Sequence, residues 1–181
     1  MKHRFGFLLV AVVLLVGGGV PPAQAQDRLE LSASMKARLG ALKPLRPKGV
    51  DATAFDGRPV LVTFFASWCP PCRREFTNIG NYLETAGTDK VSVIAVNWIE
   101  GLAGRSAARM KRMLDSIHPA IRVVEGSPET ARAFGGVFSI PAVFIFDPSG
   151  REIFRLGGDR GPHGRHYLRK DQLKRVIAGM K

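Results

Sequence analysis

Apolar residues along this chain follow two rhythms. Val60–Phe65, Val91–Trp98 and Ile121–Val124 are short runs rich in β-branched and aromatic residues, bounded by turn formers. Such runs predict buried strands, nearly continuous in apolar residues as parallel sheets require. Elsewhere the spacing lengthens to that of a helix. Phe76, Ile79, Leu83 and Ala86 share one face of residues 69–86, and Met110, Met113, Leu114 and Ile117 share one face of residues 103–117. A short helix is expected over residues 128–134, and a closing helix carries Leu173, Val176 and Ile177 behind Asp171 as N-cap. Ala142–Phe146 and Glu152–Leu156 flank Asp147-Pro148-Ser149-Gly150, whose residues suit a type I turn, so they predict an antiparallel hairpin. In residues 27–45, Leu29, Leu31, Met35 and Leu39 recur at near-helical spacing until Pro44 and Pro47 end the pattern. The order β-α-β-α-β-α-β-β-α predicts an α/β fold: a mostly parallel central sheet ending in an antiparallel hairpin, with helices on both faces.

The N-terminus departs from these patterns. Met1-Lys2-His3-Arg4 precedes the apolar run Phe5–Val16, the layout of a secretory signal peptide. Gly17–Gly19 and Pro21-Pro22 break that run, and Ala23-Gln24-Ala25 offers a small-x-small cleavage site. Cleavage is expected between Ala25 and Gln26, with export to the periplasm. The rival is an uncleaved anchor holding the protein to the inner membrane, facing the periplasm. A spanning helix wants about 20 apolar residues, and here glycines and prolines arrive too soon. Membrane contact is expected only if the signal stays uncleaved, and no cysteine directly follows the apolar run to carry a lipid. The expected organisation is a signal peptide over residues 1–25, a lead-in over 26–45 and a folded domain over 46–181. The mature chain of about 155 residues suffices for one sizeable core.

The formal charge is +12. Basic residues are spread over helix faces and tails, not interleaved with aromatics, so no nucleic-acid partner is expected. Arg105, Arg109 and Arg112 line one helix face, which is expected to be solvated. A basic surface still biases encounters toward acidic partners or anionic lipid.

The chain has two cysteines, two residues apart. A bridge closing so small a loop is a poor staple, and structural zinc wants four ligands where no second pair exists. His163 and His166 stand in a glycine-rich loop without a nearby acid or cysteine, so no metal and no cofactor is expected. Chemistry at the pair explains it better. In Ser67-Trp68-Cys69-Pro70-Pro71-Cys72-Arg73 a strand ends and a helix begins. Consecutive prolines are tolerated in a helix's first turn, where N–H groups lack partners anyway. That puts Cys69 at the N-cap, facing solvent and the positive helix end, which stabilises a thiolate. Cys69 is therefore the expected nucleophile. Cys72, four residues before Phe76 on the inward stripe, is the expected resolving thiol. Pro71 has no N–H, so the Cys72 amide is left as the close donor to Cys69, which points toward a reductant.

The stretch Phe64-Phe-Ala-Ser-Trp-Cys-Pro-Pro-Cys72, followed by Arg73-Arg74-Glu75, resembles the thioredoxin superfamily, and within it the TlpA-like and ResA-like envelope disulfide reductases. A second block agrees: Phe134-Gly-Gly-Val-Phe-Ser-Ile140-Pro141, then Ala142–Phe146 and Asp147-Pro-Ser-Gly150. The resemblance covers residues 45–180 and implies a thioredoxin fold with a cis-proline at Pro141. It places Ile140-Pro141 beside Cys69, where the backbone before Pro141 pairs with an extended substrate peptide. Trp68 would shape an apolar rim there. The implied activity is thiol:disulfide exchange with protein disulfides, in the reducing direction, for example on apocytochrome thiols before haem attachment. A membrane thiol transporter would supply the electrons.

Three positions depart from the family's pattern. Thr63 stands where thioredoxins carry a buried Asp that assists the resolving cysteine. Thr77 replaces a proline that often kinks the first helix. The stretch between Pro47 and Pro59 is short for the N-terminal hairpin common in this branch. Glu75, one turn past Cys72, is expected to face solvent, the sharper reading being a proton relay to the Cys72 sulfur that tunes the site with Pro70 and Pro71. Two other functions on this fold fit less well. A copper chaperone of this type carries Cys-x-x-x-Cys and a distal His, and a thiol peroxidase places Thr-x-x before its cysteine.

Overall fold

The computed structural model describes residues 28–157 and 167–180; the signal segment, its cleavage site, His163 and His166 lie outside them. Five strands form one sheet: β1 (Val60–Phe65), β2 (Ser92–Asn97), β3 (Arg122–Glu125), β4 (Ala142–Phe146) and β5 (Glu152–Leu156), in the order β3-β2-β1-β4-β5. β1, β2 and β3 pair in parallel, and β4 lies antiparallel to both β1 and β5. Four strands thus point one way and β4 runs against them. β1 takes the central place because all six of its residues are buried, which suits a strand covered on both faces.

The strand alternation divides the core. One face carries Leu61, Val93, Ala95, Val123, Val143 and Ile145 under α2 (Pro70–Ala86), α3 (Ala107–Ser116) and α5 (Lys170–Ala178). The other carries Val60, Val62, Phe64, Ile94, Val96 and Phe144 under α1 (Ala33–Gly40) and α4 (Pro128–Ala133). Phe134 fills the centre of this second face, its ring edge-on to Phe64 and Phe144 at 5.1 and 5.0 Å. Ser32, Ser106 and Ser127 cap α1, α3 and α4, each hydroxyl accepting from the amide three residues on.

Two helix starts differ from expectation. Residues 100–103 form a separate 3-10 turn, and α3 begins only after Gly104, at φ 70°, and the Ser106 cap. Asp171 is not the N-cap of α5: Arg169 holds that position and Asp171 lies inside the first turn. There its carboxylate pairs with Arg175 at 2.8 Å and suits the positive helix end. Between Pro47 and Pro59 a 3-10 turn (Ala52–Phe55) stands in place of a hairpin.

The lead-in is a strap across the second face. Leu31 N–H donates to Gly150 O at 2.7 Å and Glu152 N–H to Leu29 O at 3.0 Å, beside the start of β5. α1 then crosses the sheet with Met35 and Leu39 buried. At the far side Leu45 N–H donates to Val123 O and Glu125 N–H to Lys43 O, both at 2.8 Å, along β3. Both sheet edges are met by the same segment, which withholds their free amides from other chains.

Candidate active site

β1 delivers the chain to Cys69 at the end of the sheet where the parallel strands finish. Cys69 is extended (φ −90°, ψ 105°) at the N-cap of α2, with Pro70 and Pro71 in the first turn as expected. Its Sγ accepts from Cys72 N–H at 3.2 Å and is bonded to Cys72 Sγ. Cys72 is fully buried in the core under α2. Cys69 itself is only 2% exposed, against the expectation of a solvent-facing thiol. The bridge folds its side chain back over the helix terminus, and Trp68 and Ile140 pack against the cluster it joins. Pro70 is the exposed residue of the pair's loop.

Glu75 overturns the expectation of a solvated carboxylate. It is 1% exposed, since α2 buries Cys72, Glu75, Phe76, Ile79 and Tyr82 in one broad stripe. Its Oε1 accepts from the Thr63 hydroxyl at 2.5 Å and its Oε2 from Leu168 N–H at 2.9 Å. Burial pushes its pKa up to about 7, against the pull of those two donors. Thr63, the departure noted on β1, thus becomes a donor to a carboxylate supplied by α2. A buried acid stands one turn past Cys72 after all, supplied by the helix and not by the strand.

A second acid lies on the other side. Glu100, in the 3-10 turn after β2, is 8% exposed. Its carboxylate accepts from Ser67 N–H at 2.8 Å, from the Ser67 hydroxyl and from Asn97 Nδ2 at 2.9 Å. Arg109 donates from Nε to the Ser67 hydroxyl at 3.1 Å, and its guanidinium approaches Glu100 to 3.9 Å. Arg109 is therefore a strut of this network and not part of a solvated face; the 3-10 turn brings Glu100 back within its reach. Nothing in the spacing of Asn97-Trp98-Ile99-Glu100 marks these residues, and sequence reasoning missed them. Ile99 carries the cost: at φ 50° and ψ 29° a β-branched residue sits in the left-handed region. Its carbonyl accepts from Trp68 Nε1 at 3.3 Å.

The Ile140-Pro141 peptide is cis, with Pro141 buried and Ile140 half-buried. The loop before it leaves α4 through Gly135 and Gly136, at φ 81° and 85°, and is tied to the turn after β2 by Trp98 Nε1 donating to Val137 O at 2.9 Å. One chain of contacts therefore runs from Trp68, beside Cys69, through Ile99 and Trp98 to the proline loop. Such an arrangement can break and remake a disulfide at Cys69, with a titrating acid behind it and a half-apolar rim before it.

A family model described as Redoxin matches residues 30–163. The chain is 26% identical over 156 residues to the thiol:disulfide interchange protein HelX of Rhodobacter capsulatus, covering 83% of this chain and 84% of that one. It is 24% identical over 150 residues to the thiol-disulfide oxidoreductase ResA of Bacillus subtilis, covering 83% and 80%. Among solved structures, a secreted Mycobacterium tuberculosis disulfide oxidoreductase homologous to E. coli DsbE superposes with a TM-score of 0.60 at 13% identity. That match covers 82% of this chain and 99% of the other, a likeness of fold.

Proposed function

This chain belongs to the Redoxin family and is a thiol:disulfide oxidoreductase, and we propose that it reduces protein disulfides in the periplasm with Cys69 as the attacking thiol. The observation that carries this reading is the Cys69 sulfur at the N-terminus of a 17-residue helix, taking the Cys72 amide. That position favours the thiolate, the form that attacks. In the reduced protein, Cys69 thiolate attacks one sulfur of a substrate disulfide, forming a mixed disulfide and releasing one substrate thiolate. Cys72 then loses its proton and attacks Cys69 Sγ, which closes the Cys69–Cys72 bond and releases the second substrate thiolate. Two electrons pass to the substrate. Glu75, one turn past Cys72 and titrating near 7, is suited to take the Cys72 proton in that second step.

The single close donor to Cys69 supports the reducing direction, since fewer donors leave the dithiol less acidic and less oxidising. The signal-like N-terminus supports the periplasm; no helix among the described residues is long and apolar enough to cross a membrane. A membrane thiol transporter would return the oxidised pair to the dithiol, and apocytochrome thiols are a fitting substrate. Pro141 and Ile140 would border the docked peptide, with Trp68 on its other side.

The division of labour between the sulfurs is tested by trapping. Cys72→Ser should accumulate covalent protein adducts through Cys69 on non-reducing gels of envelope extracts, and Cys69→Ser should accumulate none. The reverse pattern exchanges the two roles and removes the helix-terminus argument. A reduction potential near thioredoxin's, about −270 mV, fits a reductant, whereas one near about −120 mV makes the protein an oxidant.

A further inference from the structure

Both central residues of the turn that delivers Cys69 are held from outside that turn. Cys69 N–H donates to Ala66 O at 3.1 Å, so Ser67 and Trp68 form the corner between β1 and α2. Trp68 donates to the Ile99 carbonyl, and Ser67 to the Glu100 carboxylate, which takes its amide at 2.8 Å and its hydroxyl besides. With Asn97 Nδ2 at 2.9 Å, that carboxylate accepts three bonds and donates none, the pattern of an ionised acid. An anion therefore sits one hydrogen bond from the corner, and Cys69 must itself become an anion two residues on. A turn spans less than about 7 Å between its ends, which leaves the two charges on the order of 10 Å apart. Glu100 is 8% exposed and Cys69 2%, and at that range and depth the carboxylate opposes the thiolate.

Arg109 answers that charge. Its Nε donates to the Ser67 hydroxyl at 3.1 Å, which leaves the hydroxyl hydrogen for Glu100, and its Nη2 stands 3.9 Å from Glu100 Oε1. The same guanidinium closes the 3-10 turn, donating to Ala103 O at 3.4 Å and to Gly104 O. α3 itself gives no reason for a cation there. Arg109 lies in its first turn, three residues past the Ser106 cap, where the positive helix end disfavours it. That turn holds no acid to offset it; the acid that does so is Glu100, across the corner. We propose that Arg109 is a positioning residue for Cys69: by neutralising Glu100 it lets the carboxylate clamp the Ser67 corner without suppressing the thiolate that attacks. The proposal rests on the exchange reading given above and extends that site to α3. The other charged groups about Cys69 are Arg73 and Arg74, exposed on the first turn of α2, and Glu75, whose carboxyl is taken by Thr63 and Leu168. Residues 135–141 carry no charged side chain, and Arg105 is paired with Glu125 at 3.9 Å. All of these stay in place in the variants below, so differences between variants read the Arg109–Glu100 pair.

The test follows iodoacetamide alkylation of Cys69 in the reduced full-length protein from about pH 5 to 10, with the labelled cysteine identified by peptide mass. Arg109→Gln, which keeps a donor for Ser67 but loses the charge, should move the midpoint up by about one pH unit. Alkylation below the midpoint then slows about tenfold, with the plateau at high pH kept. Arg109→Lys, which restores the charge without the planar fork, should bring the midpoint most of the way back. Glu100→Gln added to Arg109→Gln should return it to that of the unmodified protein or below. An unmoved midpoint in Arg109→Gln overturns the proposal. So does an equal rise in the Lys and Gln variants, which makes the hydrogen bonds and not the charge decisive, or a double variant that keeps the raised midpoint. Should Arg109→Gln fail to fold, Glu100→Gln alone decides: a lowered midpoint supports the pair, and an unmoved or raised one overturns it. Alkylation needs no disulfide partner. If the reduced protein releases nothing from dithiobis(nitrobenzoate), the exchange reading fails, and the titration still decides whether Arg109 sets the ionisation of Cys69.

Discussion

At Glu75 burial outweighs two hydrogen bonds, and the sign of the resulting pH dependence follows. The folded carboxyl titrates at about 7, where a free glutamate titrates at 4.5. Below the lower value folded and unfolded chains both hold the proton. Between the two values only the folded protein keeps it, so stability falls as pH rises, by about 3 kcal/mol over the whole window. Glu75→Gln, which still accepts from Leu168 N–H, should remove that slope. Urea unfolding of the oxidised protein at intervals from pH 4.5 to 8 checks it: the two proteins should diverge most above pH 7, with the variant the more stable, and parallel curves would refute the assignment. The residue's burial was readable in outline. Cys72, Glu75, Ile79 and Tyr82 follow one another at helical spacing, but a carboxylate inside an apolar stripe is assigned to solvent by its charge. What lies over it, the chain at Leu168, is more than ninety positions away and leaves no trace near Glu75 in sequence. Glu100 was illegible for the same reason: its donors are Ser67 and Asn97, and Arg109, which approaches it to 3.9 Å, comes from another helix, so the fold and not the spacing gathers them.

Among the elements, the strands were the most legible, because runs such as Val60–Phe65 and Ala142–Phe146 have no polar face to mislead. The Cys69 cap was legible as well, since two prolines fit nowhere else in a helix. Helix starts were less so: Ser106 and Arg169 won over earlier and later candidates through the local backbone, Gly104 ending one turn before α3 can begin. That β4 would sit between β1 and β5, antiparallel to both, is a tertiary outcome that the hairpin alone leaves open. Its consequence is that Phe144 of β4 and Phe64 of β1 stand side by side, and Phe134 after α4 closes the set. Removing that keystone should cost far more than one contact. Phe134→Ala is expected to lose about 3–5 kcal/mol, and Phe134→Leu, which keeps most of the volume, less than about 1.5 kcal/mol. Denaturant titration followed by circular dichroism measures both. Equal costs would mean that the ring edges, and not the filled volume, carry the stabilisation.

For the molecule as a whole, the strap decides where the folded unit begins. Leu29, Leu31, Met35 and Leu39 were recognisable as one apolar face, but their destination, the β5 rim and the second face of the sheet, was not. A chain starting at residue 46 should expose Val60, Phe64 and Phe144 and free the amides of β3 and β5. It should therefore aggregate on expression, whereas a chain starting at residue 26 stays soluble with a cooperative thermal transition. Equal solubility and equal transition temperatures for the two would show the strap to be dispensable. The strap has a further consequence for timing. A chain delivered N-terminus first presents Leu29 and Leu31 long before Gly150 and Glu152, the groups on which they close. Closure over so long a separation is slow and comes late. During delivery the second face stays open, and the segment that arrives first is among the last to lock.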